Sequence, residues 1–107
     1  RILSSAASDV YKRQGYKLYE LPPYSDNNCW LFVMKCKSSE RMKLLNKLNS
    51  NNVMARPVWG LCHKQRYTKQ FQSFEIEKSE KLLKESICLP SSSGLTKAQI
   101  NFYVNLL

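Results

Sequence analysis

The chain has 107 residues with 17 Lys and Arg against 8 Asp and Glu, a formal charge of +9. That length suits one domain and excludes two, and 43% hydrophobic with 11% aromatic residues excludes a disordered chain. The charge favours an anionic partner such as nucleic acid, acidic lipid or a phosphorylated small molecule. No run of 18 apolar residues occurs, so no membrane span is expected, and the N-terminal stretch lacks the apolar core of a secretory signal. Cytoplasmic residence is the default expectation.

In chain order, residues 1–14 join no neighbouring pattern. Ser4 to Gln14 resembles translated adapter read-through, so the natural protein is expected from Gly15 onward with its own N-terminal part missing. Residues 15–27, with Leu18-Tyr19-Glu20-Leu21 before Pro22-Pro23, read as a short extended piece and connector. Asn28 to Lys37 is the strongest strand signal, rich in aromatic and branched residues. Ser38-Ser39-Glu40 offers an N-cap, and Met42, Leu44, Leu45 and Leu48 follow at helical spacing until Asn49-Ser50-Asn51-Asn52. Val53 to Val58 reads as a short second strand whose Pro57 suits an edge.

Gly60 to Ser73 has no clean periodicity and is expected as a functional loop. From Phe74 a helix is expected, with Ile76, Leu82 and Leu83 on one side and the i,i+4 pairs Glu77–Lys81 and Glu80–Lys84 on its wet face. Ile87-Cys88-Leu89 is a brief buried strand ended by Pro90, and Ser91 to Gly94 a turn. Thr96 and Gln99 match a capping box, opening a helix whose face carries Ile100, Tyr103, Val104 and Leu107. The order β-α-β-loop-α-β-α predicts a small α+β domain, helices covering one face of a three-stranded sheet.

Cys29, Cys36, Cys62 and Cys88 form no C-x-x-C pair, so buried free thiols are expected in place of disulfides or zinc. Cys62 beside His63 suggests a nucleophile pair, but sequence neighbours seldom face one another in extended chain.

Chemistry concentrates between Val53 and Tyr67. No acid occurs between Glu40 and Glu75, a window holding Arg41, Lys43, Lys47, Arg56, Lys64, Arg66 and Lys69. Trp59, the sole histidine His63, and Tyr67 lie in the same stretch. Cations that satisfy phosphate and rings that stack on a base or sugar suit an anionic ligand with a flat face. The plainer reading is a solvated basic loop in which Trp59 anchors to the core and His63 and Tyr67 meet only water.

The stretch from Asp26 through Leu107 resembles the C-terminal small domain of the DegT/DnrJ/StrS family of pyridoxal-phosphate-dependent sugar aminotransferases, whose fold is the fold-type I transferase. Cys29-Trp30-Leu31-Phe32-Val33 is similar to that family's strand entering the small domain. Asn52 to Trp59 is similar to its Arg-Pro-x-Trp segment, and His63 to Tyr67 to the loop after it. Ile87 to Ser92 and the helix opened by Thr96 resemble its closing Leu-Pro strand and terminal helix.

The resemblance makes residues 28–107 the small domain of a longer enzyme. It implies amino transfer, from glutamate, to a 4-keto-6-deoxy nucleotide sugar in amino-sugar or surface-polysaccharide biosynthesis. The partners implied are a nucleotide-linked keto sugar, an amino donor and a second copy of the full-length enzyme, with neither nucleic acid nor membrane. Arg56 would then bind the diphosphate or the donor carboxylate, Trp59 and Tyr67 wall the sugar, and His63 hydrogen-bond to sugar or phosphate. The cofactor lysine and the acid at the pyridine nitrogen belong to the family's large domain. No lysine of this chain sits in a similar context, so no catalytic or cofactor-binding residue is expected here, and none for metal. The chain alone is expected to be inactive. Two other classes fit the composition: a basic nucleic-acid-binding module, and a small protein-interaction domain.

Overall fold

A computed structural model describes residues 16–19, 22–26, 28, 30–92 and 94–107. The 1–14 arm, Gly15, Glu20, Leu21 and Cys29 lie outside the described residues. Four strands, β1 (Lys17–Leu18), β2 (Phe32–Lys35), β3 (Arg56–Pro57) and β4 (Ser86–Leu89), form one antiparallel sheet in the order β1-β2-β4-β3. Among the described residues three α-helices accompany them: α1 (Arg41–Ser50), α2 (Glu77–Lys84) and α3 (Lys97–Asn105). The α+β class expected from the sequence is the class observed.

Registers define the two faces. Phe32 pairs with Leu89, Met34 with Ile87 and with Leu18, and Pro57 with Ile87. Directly paired residues share a face, so these apolar side chains line the inner face. Met34 and Ile87 are fully buried there with Leu44, Leu45 and Leu48 of α1 and Ile100 and Val104 of α3. The outer face carries Lys17, Lys35, Val33, Cys88 and Arg56. Both β2 and β3 run antiparallel to β4 and hence parallel to each other, with α1 as their crossover.

The sheet has one strand more than the sequence indicated. Lys17–Leu18 of the expected connector pairs with Met34 and Lys35, and two residues carry too little periodicity to announce a strand. Tyr16 fixes this edge by donating from its hydroxyl to the Leu107 backbone oxygen at 2.6 Å. Conversely, the strand expected over Asn28 to Lys37 shortens to four residues. Its first half is diverted into a turn, where the Trp30 amide donates to Asn28 Oδ1 at 3.0 Å. Pro57 lies on the edge strand β3, where its missing N–H costs no ladder bond.

Helix α1 is not capped by serine: Glu40 occupies the N-cap without a side-chain cap and pairs with Lys37 at 3.5 Å. Its C-terminus is closed by the asparagines. Asn52 takes a left-handed φ of 59°, its amide bonds to Asn49, and the Val53 amide reaches back to Leu48 at 2.9 Å. This is a Schellman closure with asparagine where glycine is commonest, and the two residues it joins, Leu48 and Val53, are both buried in the core. Asn49 Nδ2 then donates to Leu45 O and Ala55 O, tying the helix to the segment that leads into β3. The Thr96–Gln99 capping box opens α3 as expected, with bonds of 3.3 and 2.8 Å.

Candidate substrate-facing segment

The Schellman turn delivers the chain to β3, and the register opposite Cys88 turns Arg56 to the outer face of the sheet. Among the described residues its guanidinium makes one hydrogen bond, from Nη2 to Met54 Sδ at 3.3 Å, and no ion pair. Arg56 is exposed, and that weak sulfur acceptor leaves most of its donors facing outward. Three residues on, Trp59 is 72% exposed, which contradicts the core-anchor reading. Its ring leans on Trp30, itself 66% exposed, with centroids 5.6 Å apart and planes tilted 46°. Ser91 Oγ donates to the Trp30 carbonyl, so the exit of β4 fixes the place of this pair.

Beyond Gly60 the expected irregular loop is a series of hydrogen-bonded turns. Cys62–Lys64 forms a 3-10 turn, with Lys64 N bonded to Leu61 O and Gln65 N to Cys62 O, both at 3.0 Å. The Thr68 hydroxyl donates to the Cys62 carbonyl, and the amides of Thr68, Lys69 and Phe71 continue the series. Short-range bonds of this kind leave no period in the sequence.

The 3-10 turn holds His63 and Lys64 against α2. Nε2 of His63 is buried with no hydrogen-bond partner among the described residues, and lies 3.6 Å from Glu80 Oε1. The same oxygen accepts from Lys64 Nζ at 2.6 Å. The Lys64 hydrogen bond and charge hold the Glu80 carboxyl below the usual glutamate range, with smaller contributions from His63 and Lys84. Glu80 therefore faces the loop and not Lys84, and neither expected i,i+4 pair forms an ion pair among the described residues. Helix α2 buries no residue. Glu80 is the residue that sequence reading missed, because a plausible local partner at i+4 hid the long-range one.

Tyr67 is 78% exposed, with the Arg66 guanidinium carbon 5.8 Å from its ring centre. The four expected site residues thus share one exposed stretch but not one contact network. Arg56 meets Met54, Trp59 meets Trp30, His63 meets Glu80 and Tyr67 meets Arg66. Cys62 is exposed, a correction to the expectation of buried thiols, because the 3-10 turn faces it outward. Cys36 and Cys88 are half-buried, and burial pushes both thiols up. Among the described residues no group of three or more His, Cys, Asp or Glu converges as a metal site, and no helix is long and apolar enough to cross a membrane.

The architecture recurs in solved aminotransferases. A Bacillus cereus ATCC 10987 protein assigned as a PLP-dependent aminotransferase superposes with a TM-score of 0.84 at 17% identity, over 96% of this chain and 29% of its own. A DegT DnrJ EryC1 StrS aminotransferase from Brucella abortus gives 0.77 at 17% identity, over 95% and 29%. Helicobacter pylori PseC, an aminotransferase involved in pseudoaminic acid biosynthesis, gives 0.69 at 12% identity, over 95% and 30%. The fold is therefore that of a part of a pyridoxal-phosphate-dependent aminotransferase. The chain belongs to the DegT/DnrJ/EryC1/StrS aminotransferase family, whose model matches residues 6–107. No curated protein matches it. The chain spans about a third of the length of these solved relatives.

Pyridoxal phosphate is the cofactor that this family implies. A site for it needs an enclosed lysine, and every lysine among the described residues is exposed. Lys64 is already engaged by Glu80, and Lys35 lies 4.5 Å from the centre of the Tyr19 ring. The described residues do not fit the cofactor.

Proposed function

We propose that this chain is the small domain of a pyridoxal-phosphate-dependent enzyme that transfers an amino group, from glutamate, to a 4-keto-6-deoxy nucleotide sugar. The observation that carries the reading is the family match over residues 6–107. The exposed Arg56, Trp59 and Tyr67 of this stretch support the substrate class. The cofactor and its lysine come from the large domain of a longer polypeptide, so the chain alone is inactive and the full-length enzyme acts as a homodimer in the cytoplasm.

In this reading the chain binds and orients. Arg56 grips the diphosphate through two parallel charge-assisted hydrogen bonds. Trp59 presents a ring face to the sugar or base, with Trp30 behind it limiting its rotation. His63 hydrogen-bonds to a sugar hydroxyl or to phosphate, and Tyr67 closes the wall. None of them moves a proton at the reacting carbon.

The test is amino transfer by the complete polypeptide, followed by mass spectrometry of the sugar product. Conversion of the ketone to an amine on a nucleotide sugar, with glutamate consumed, is the expected result. Failure on every such sugar, with turnover of a ketone carrying no nucleotide, would overturn the substrate class. A nucleic-acid-binding module would instead bind generic DNA or RNA with a steep salt dependence.

A further inference from the structure

The arrangement around Glu80 goes beyond placing His63 in a substrate-facing stretch. The histidine comes from the 3-10 turn and the glutamate from α2, residues 17 apart that only the fold brings together. An imidazole nitrogen shut away from water needs a partner, and leaving it bare costs the desolvation of a polar group. The Glu80 carboxylate lies 3.6 Å from Nε2, and Nε2 has no hydrogen-bond partner among the described residues. An ionised carboxylate can only accept, so the contact is favourable when Nε2 carries the ring proton. In the neutral ring that leaves Nδ1 as an acceptor, able to accept a hydrogen bond from a hydroxyl but with no N–H to donate to a phosphate.

We propose that Glu80 is the positioning residue of His63: it holds the ring through Nε2–H and turns Nδ1 towards the ligand, so that His63 accepts a hydrogen bond from a sugar hydroxyl. The inference rests on the reading of His63 as a substrate-binding residue. Lys64, at 2.6 Å on the same oxygen, keeps the carboxylate in place without occupying the ring. Among the described residues Lys84 is the other charged group that contributes at Glu80. Glu80 touches no ligand itself, and its effect passes through the ring it holds.

Two measurements test this together. Because His63 is the only histidine, its ring gives unambiguous proton–nitrogen correlations in the 107-residue chain. A ring proton on Nε2, slow to exchange, is expected in the native chain and in Lys64→Met, and is expected to vanish in Glu80→Ala. Its absence from the native chain, or its persistence in Glu80→Ala, would overturn the positioning role.

In the complete enzyme, Glu80→Ala is expected to raise KM for the nucleotide sugar about tenfold with kcat within about threefold. Glu80→Asp should lie between, and the double variant with His63→Ala should be no worse than His63→Ala alone. If His63→Ala raises KM and Glu80→Ala does not, the positioning role fails while the binding role of His63 stands. If His63→Ala leaves KM unchanged, the binding role fails and this inference with it, whatever the spectra show. Thermal melting of Glu80→Ala in the 107-residue chain separates lost positioning from lost folding, since a partly exposed carboxylate on a helix that buries nothing should move the midpoint little.

Discussion

Arg56→Lys offers a clean perturbation, because the native guanidinium supports nothing in the fold. Among the described residues its one hydrogen bond is to the Met54 sulfur at 3.3 Å, its side chain stands on the exposed face of edge strand β3, and no carboxylate answers it. The substitution keeps the charge, the aliphatic stem and the backbone, so the folding stability should stay within about 0.5 kcal/mol. In the complete enzyme the expected loss is different. A point ammonium reproduces one prong of a two-pronged contact with a diphosphate. Losing the second charge-assisted bond costs about 1.5–3 kcal/mol, which is roughly ten- to a hundredfold in KM. The turnover number at saturation should hardly change, because the contact is made equally in ground and transition states. Steady-state kinetics over a range of nucleotide-sugar concentrations, beside a thermal melt, is the assay. A KM within twofold of native, or a collapse of kcat at unchanged KM, would refute the reasoning.

Leu48→Ala removes a fully buried side chain at the α1 closure, in the same core cluster as Val53, and should cost about 2–5 kcal/mol in urea unfolding; a cost below about 1 kcal/mol would show that the closure is not part of the core. Asn52→Gly relieves the left-handed φ of 59° and should leave stability unchanged or raise it slightly, whereas Asn52→Val should lower it by about 1 kcal/mol or more. Both tryptophans of the chain are exposed, so the isolated chain should emit at long wavelength and be strongly quenched by acrylamide; a blue-shifted, protected emission would contradict the placement of Trp30 and Trp59. The folded Glu80 carboxyl titrates lower than the unfolded one, so the stability from its Lys64 pair is complete above the ordinary glutamate range and is lost as pH falls through the folded value. The melting difference between native and Glu80→Gln, small for a partly exposed pair, should accordingly be present at pH 7 and close on acidification, and a difference that grows in acid would reverse the assignment.

What the sequence made legible was whatever repeats locally. The Leu44, Leu45 and Leu48 stripe, the Thr96–Gln99 box and the Ile87–Leu89 run each carry their own signal, and each forms the expected element. Elements whose cause lies far along the chain were hidden. Lys17–Leu18 becomes a strand only because β2 offers an edge, and Trp30 leaves the strand because Asn28 and Ser91 claim its backbone. The candidate site divides in the same way. Arg56, Trp59, His63 and Tyr67 stood out by type and crowding, but the partner of each depends on tertiary geometry. Glu80 was misassigned for that reason: a helix rule supplied Lys84, while the fold supplied Lys64 and His63.

The central claim is that the stretch from Arg56 to Tyr67 faces a nucleotide sugar in a longer aminotransferase. A crystal structure of the complete enzyme with its nucleotide sugar tests it most directly. The account predicts the Arg56 guanidinium on the diphosphate at about 2.7–2.9 Å, His63 Nδ1 within hydrogen-bond distance of a sugar hydroxyl, and Glu80 still behind Nε2. A sugar bound elsewhere, with Arg56 and His63 left facing solvent, would contradict it.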